Sequence, residues 1–179
     1  MDRDFTLRDI THDDWQAFAA IRLEALRLHP EVYATLLQDA VKNTVEDWQR
    51  VINRMKPIGI FVPASEQASP KDKQQELVGM MGYLYPSEYC SESAIPVAVY
   101  VRASHRGLGC NQMMMDYIKE KIMRETPAKR IIIDHVAGNE VAGRSYVRAG
   151  YRLMGVRKNL DFRADGTKAD LVLYELPLR

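Results

Sequence analysis

One junction in this chain carries most of the residues that could do chemistry. Val99-Tyr100-Val101-Arg102-Ala103-Ser104-His105-Arg106-Gly107-Leu108-Gly109-Cys110-Asn111 runs from an apolar stretch, through two glycines, into a segment of helical periodicity. Free amides at a helix start point outward and carry partial positive charge. Glycines let an anion approach those amides without a Cβ in the way. The combination suits a phosphate or a pyrophosphate. A Walker loop would end in Gly-Lys-Ser/Thr, which is lacking here, and a dinucleotide fingerprint would need glycine where Gln112 stands. On these residues alone, a turn that merely connects strand to helix is as good a reading as an anion site.

The elements that must position this turn can be read from periodicity. Phe5 to Ile10 alternates as a half-buried strand. Thr11-His12-Asp13-Asp14 starts a helix, with Trp15, Phe18, Ala19, Arg22, Ala25 and Leu26 on one face, ending near His29-Pro30. Thr44 starts a second helix with Trp48, Val51, Ile52 and Met55 on its apolar face, ending at Lys56-Pro57. The connector from Glu31 to Asn43 reads as surface-lying. Residues 58–62, 77–84 and 94–101 read as three strands, with 64–76 as a long mobile hairpin tip. A helix from Gly109 carries Cys110, Met113, Met114, Tyr117, Ile118 and Ile122 inward, with Asp116, Lys119, Glu120 and Lys121 on the other face. The methionines read as core filling. Residues 130–136 form a buried strand and 139–149 a short helix. Strands 151–162 and 171–176 close the chain around the turn Arg163 to Lys168. The order predicts an α/β fold of the α+β type: a single mixed, mostly antiparallel sheet flanked by helices, one domain over residues 1–179.

Bulk properties narrow the function classes. Of 179 residues, 25 are Lys or Arg and 24 are Asp or Glu, so the net charge of +1 leaves no footprint for nucleic acid. Two cysteines, Cys90 and Cys110, cannot build a disulfide framework or a four-cysteine zinc site, and no metal site is expected. The charged N-terminus lacks a signal-peptide core, and the longest apolar run, Ala94 to Val101, falls short of a membrane span. A soluble, cytoplasmic protein with no membrane partner is the expectation.

Two motifs together resemble the GNAT superfamily of acyl-CoA-dependent N-acyltransferases. The acyl-CoA signature of that family is Q/R-x-x-G-x-G/A after a strand. Arg106-x-x-Gly109-x-Asn111 matches two of its three fixed positions, and Val101-Arg102-Ala103 stands for the usual Val-x-Pro. Downstream, Asn139, Ala142, Tyr146, Gly150 and Tyr151 fit N-x-x-A-x-x-x-Y-x-x-x-G-F/Y at every position. At the front, Arg22-Leu23-Glu24-Ala25-Leu26, His29-Pro30-Glu31-Val32-Tyr33 and Glu46-Asp47-Trp48 are similar to one branch of the family.

The resemblance implies an enzyme: an N-acetyltransferase in which an amine directly attacks acetyl-CoA, its cosubstrate, in a ternary complex. It implies backbone amides of Arg106, Gly107, Leu108, Gly109, Cys110 and Asn111 on the pyrophosphate. The edges of Val99 and Val101 would pair with the pantetheine arm, and an amide there would serve the thioester oxygen. Asn139 would contact pantetheine or cap its helix. Tyr146 would be the catalytic acid for the leaving thiol and part of the cofactor site. Asn111 departs from the Gly or Ala of the signature and either narrows the approach or donates a further hydrogen bond. That departure motivates a competing class, a non-catalytic acyl-CoA sensor, which an amine screen for CoA release would separate. Glu92, Asp134 and His135 are candidate bases, none at a motif position. Asp134 and His135 must face opposite sides of a strand. The expected acceptor pocket comprises His29–Asn43 and Arg157–Lys168, whose mixed charges leave small-molecule and peptide amines both open. A homodimer is also left open.

Overall fold

The computed structural model describes residues 5–63, 75–163 and 165–178. Among these residues seven strands form one sheet in the order β1-β2-β3-β4-β5-β7-β6. They are β1 (Thr6–Asp9), β2 (Ile58–Pro63), β3 (Gln75–Leu84), β4 (Ser93–Val101), β5 (Arg130–Val136), β6 (Arg152–Asp161) and β7 (Lys168–Pro177). Every neighbouring pair is antiparallel except β4 and β5. The expected segment 64–76 largely lies outside the described residues, apart from Gln75 and Glu76, which extend β3.

Helices cover both faces. On one face lie α1 (Trp15–Leu28), the short α2 (Leu37–Ala40) and α3 (Val45–Met55). Phe18, Ile21, Ala25 and Leu26 of α1 pack with Trp48 and Ile52 of α3 onto Phe61, Leu77, Met80 and Tyr100. The N-terminus of α3 is fixed by a capping box. The Asp47 amide donates to Thr44 Oγ1 at 3.2 Å, and the Thr44 amide donates to the Asp47 carboxylate at 2.9 Å. On the other face lie α4 (Cys110–Glu125) and α5 (Glu140–Arg148). Met114, Met115, Ile118 and Ile122 of α4 are buried against Ile58, Val78, Ile131 and Ile133.

Two readings from sequence need correction. The connector between the first helices is not surface-lying throughout, because Tyr33 and Ala40 are buried in the α1 cluster. Lys121 is not on a solvated face. It is buried, and its ammonium reaches Asp9 at 2.6 Å and Glu125 at 3.1 Å, so two carboxylates compensate its burial.

The one parallel pairing decides the geometry of the site. β4 and β5 are in register only at Ser93↔Arg130 and Ala94↔Ile131. Beyond these two pairs the strands part. The register of β4 against β3 shifts between Met80 and Gly82, so Ala98 and Val99 both oppose Met81, and Ala98 adopts φ +55°. An inserted residue of this kind bends a strand and increases its twist. The sheet therefore opens along its middle from Pro96 onward.

Candidate active site

A cavity of about 1570 Å³ occupies this opening. Its walls come from β4 (Ile95 to Val101), the turn before α4, the end of β5 (Asp134 to Val136), α5, and the Glu31–Thr35 segment. It thus joins the α4–α5 face to the α1–α3 face through the gap in the sheet.

On the first face the glycine turn is built to receive an anion. A short 3-10 helix, Ala103–His105, leads from β4 into the turn. Gly107 and Gly109 have φ of +74° and +80°, and a Cβ at either would meet nothing within 4 Å. Only glycine takes this conformation without strain, and both face open space. Gly109 caps α4 without a side-chain hydrogen bond, and no acid lies in the first turn. Arg144 and Arg148 of α5 also line the cavity.

The sequence-predicted cofactor residues divide into distinct groups. Val99, Val101, Arg106, Gly107, Gly109, Cys110, Asn111, Asn139 and Tyr146 all line the cavity; Leu108 does not and is solvent-exposed. The side chain of Arg106 braces the turn itself: its Nε donates to the Val101 carbonyl at 3.0 Å, and its other end meets His29 Nε2 at 3.1 Å. Cys110 is buried in the core beneath α4. Asn139 caps α5, its Oδ1 accepting from the Ala142 amide at 3.3 Å. Asn111 turns its amide to Ser145 of α5 at 2.5 Å, linking the start of α4 to the body of α5, while its Oδ1 is buried without a partner.

At the gap, Tyr146 is buried and donates its hydroxyl to the Asp134 carbonyl at 3.2 Å. That carbonyl is on the side of β5 that β4 has left. Burial pushes the Tyr146 pKa well above the ordinary phenol range, helped by the nearby Asp134 charge. The Asp134 side chain sits between Ile132 and Val136 on the α1 side of the sheet, where Tyr89 donates to its Oδ2 at 2.6 Å. Burial raises its pKa above the usual carboxylate range; the Tyr89 hydrogen bond opposes this, and nearby Glu88 adds to it. His135 faces the other way. It is buried under α5, with Nδ1 against the Val136 carbonyl at 2.9 Å and Nε2 3.5 Å from the Tyr174 hydroxyl. Glu92 is remote from the cavity and pairs with Lys129.

Sequence reasoning missed several residues here. Tyr33 reaches across to β4, its hydroxyl donating to the Val99 carbonyl at 2.9 Å, and burial pushes its pKa up to about 12. Tyr89 and Arg157 lie one over the other, 5.3 Å from guanidinium to ring. Arg163 donates to the carbonyls of Tyr33, at 2.9 Å, and of Pro30, so the β6–β7 turn is tied to the segment after α1. Each contact spans tens of residues, and none has a local signature.

Comparison with known proteins decides the family. Residues 15–151 match the profile of the acetyltransferase (GNAT) family. The chain belongs to this family. Solved acetyltransferase structures share its fold. The ribosomal-protein-S5-alanine acetyltransferase of Vibrio fischeri is 12% identical, with a TM-score of 0.75 over 99% of this chain and 94% of that one. A GNAT acetyltransferase of Streptococcus pneumoniae is 12% identical, with a TM-score of 0.74 over 97% and 99%. YncA of Salmonella typhimurium, solved with its cofactor acetyl-CoA, is 14% identical, with a TM-score of 0.72 over 98% and 94%. No curated protein sequence matches the chain significantly. Among the described residues of this acetyltransferase, no cluster of His, Cys, Asp and Glu could hold a metal. No described helix is long and apolar enough to cross a membrane.

Proposed function

We propose that this acetyltransferase, acting as one domain, transfers an acetyl group from acetyl-CoA to a primary amine by direct attack in a ternary complex. The observation that carries the reading is the through-sheet cavity. It has an anion-receiving glycine turn at one mouth, a tyrosine hydroxyl at its waist and a separate opening on the other face. The residues fit the cosubstrate: the turn offers open amides at a helix start, arginines flank it, and the bulged edge of β4 offers unpaired strand positions to an extended arm.

Acetyl-CoA, when bound, supplies the acetyl group as an activated thioester. Amides from Gly107 through Asn111 hold the pyrophosphate, whereas the Arg106 amide, expected to join them, donates to the Ala103 carbonyl at 3.3 Å; the edges of Val99 and Val101 align the pantetheine. A backbone amide of the Val99 to Val101 edge donates where negative charge develops on the thioester oxygen. Tyr146 supplies a hydrogen bond to the departing sulfur. Its raised pKa keeps the phenol protonated, and its one proton, given to the Asp134 carbonyl in the structure, turns to the sulfur for this role. A free thiol titrates near 8.5, so full proton transfer from Tyr146 is uphill, and the hydroxyl acts chiefly by stabilising the sulfur's charge. Asp134, steadied by Tyr89, takes a proton from the substrate ammonium, whose ordinary pKa is near 10.4, to free the lone pair that attacks; after attack the nitrogen's second proton passes to the departing thiolate. The Asn111 amide is committed to Ser145, which supports a bracing role for this residue beside the anion site. The cytoplasm is the compartment in keeping with a two-cysteine chain.

Initial-rate kinetics with both substrates varied test the ternary complex. Intersecting double-reciprocal lines are expected. Parallel lines, the mark of an acyl-enzyme, would contradict direct attack.

A further inference from the structure

Arg22 is the least expected residue in the cavity wall. It stands on the inward face of α1, among Phe18, Ala25 and Leu26, and is 8% exposed. Its guanidinium lies 4.7 Å from the centre of the Tyr33 ring, and one NH2 group donates to Thr35 Oγ1 at 3.3 Å. The other terminal nitrogen, NH1, is buried with no hydrogen-bond partner. Among the described residues, no carboxylate lies within ion-pair distance of Arg22.

This contrasts with the other buried Lys or Arg among the described residues. Lys121 is compensated by Asp9 and Glu125. A buried charge without an opposite charge is costly, and an unsatisfied donor adds to the cost. Such an arrangement persists where a ligand supplies the missing partner. Arg22 lines the cavity together with Tyr33 and Thr35, on the acceptor side of the sheet. Its Tyr33 neighbour touches β4 at Val99, beside the bulge, so Arg22 is one aromatic ring removed from the reacting centre.

We propose that the acceptor amine carries a carboxylate, that this carboxylate pairs with Arg22, and that the substrate class is therefore free amino acids or close analogues. The inference rests on the transferase reading above. Arg22 and Asp134 then divide the acceptor between them, the guanidinium taking its anionic end and the Asp134 carboxylate its ammonium. A guanidinium suits this task, because its planar fork matches a carboxylate with two parallel hydrogen bonds. A peptide or protein N-terminus lacks the α-carboxylate of a free amino acid, which separates the two acceptor classes.

The test compares matched triples on the full chain with acetyl-CoA: an α-amino acid, its amide and its decarboxylated amine. Leucine, leucinamide and isopentylamine form one triple, and the other side chains give corresponding sets. For accepted side chains, kcat/KM of the free acid should exceed that of both partners by about 10-fold or more. In Arg22→Gln this advantage should collapse through a rise in amine KM, with the acetyl-CoA KM unmoved, and Arg22→Lys should restore part of it. Equal kcat/KM across the triples, or an acid preference that survives in Arg22→Gln, would overturn the proposal. The wild-type comparison decides alone if the variants do not fold.

A second arm needs no turnover. The CoA-loaded protein is melted with each amino acid and with the matching carboxylic acid lacking the amine. A rise in Tm in the wild type that is lost in Arg22→Gln is expected. No rise with any carboxylate overturns the carboxylate proposal. Failure of CoA itself to raise Tm overturns the transferase reading instead.

Discussion

At the scale of single residues, Asp134 is held by two tyrosine hydroxyls from opposite faces of the sheet. Its carbonyl receives the Tyr146 hydroxyl, while its carboxylate, on the α1 side, receives that of Tyr89. Tyr146→Phe removes the hydroxyl proposed to serve the sulfur without touching the glycine turn. Turnover should fall about 10²-fold while the acetyl-CoA KM changes little, which steady-state kinetics will read. The pH dependence follows from Asp134. Its folded pKa is raised, chiefly by burial, so the base form is lost on acidification at a higher pH than an exposed Asp, near 3.9, would show. The acid limb of kcat/KM should disappear in Asp134→Asn, which should also be slow. Linkage gives a second sign. A carboxyl with a raised folded pKa contributes stability below its unfolded pKa, and that contribution is lost as pH rises through the folded value. Asp134→Asn should therefore melt no lower than the wild type at neutral pH, and relatively lower in acid. A neutral-pH melting point well below wild type would contradict the assigned burial.

At the scale of elements, α5 seats closely on β5 at Gly143. A Cβ added to Gly143 would lie 2.8 Å from the Tyr174 hydroxyl and 2.9 Å from His135 Nε2. Both belong to rings held by their own contacts, so neither yields easily. Gly143→Ala should lower stability by about 1–3 kcal/mol through overpacking, measurable by denaturant melts. It should also lower turnover, because α5 carries Tyr146. At the opposite mouth, Arg163 fastens the β6–β7 turn to the segment holding Tyr33. Arg163→Ala should raise the amine KM several-fold and leave the acetyl-CoA KM near its wild-type value, as kinetics with each substrate varied will show.

These elements also explain what the sequence could reveal. Asn139 and Tyr146 are seven residues apart on one helix, so their common face is a local property. The glycine turn before α4 is equally local. The pairing of Tyr89 with Asp134, or of Tyr33 with Val99, joins residues 45 and 66 apart and exists only after the sheet has formed. The bulge at Ala98 was hidden because alanine carries no signal for positive φ. Arg22 and Lys121 show the limit of periodicity: it placed the first correctly on an inward face and the second wrongly on an outward one. Long cationic side chains follow their partners as much as their face.

At the scale of the whole molecule, two cores on opposite sides of one sheet meet at the opening between β4 and β5. A ligand that enters this opening touches both halves and binds the folded state alone. CoA at about 100 times its Kd should therefore add about 2.7 kcal/mol of apparent stability. The most direct test is amine-dependent release of free CoA thiol from acetyl-CoA by the purified protein across a panel of primary amines. The account predicts release above the amine-free background with at least one amine class, and its near-abolition in Tyr146→Phe. Binding of CoA with no release from any amine, or release unaffected by Tyr146→Phe, would contradict it.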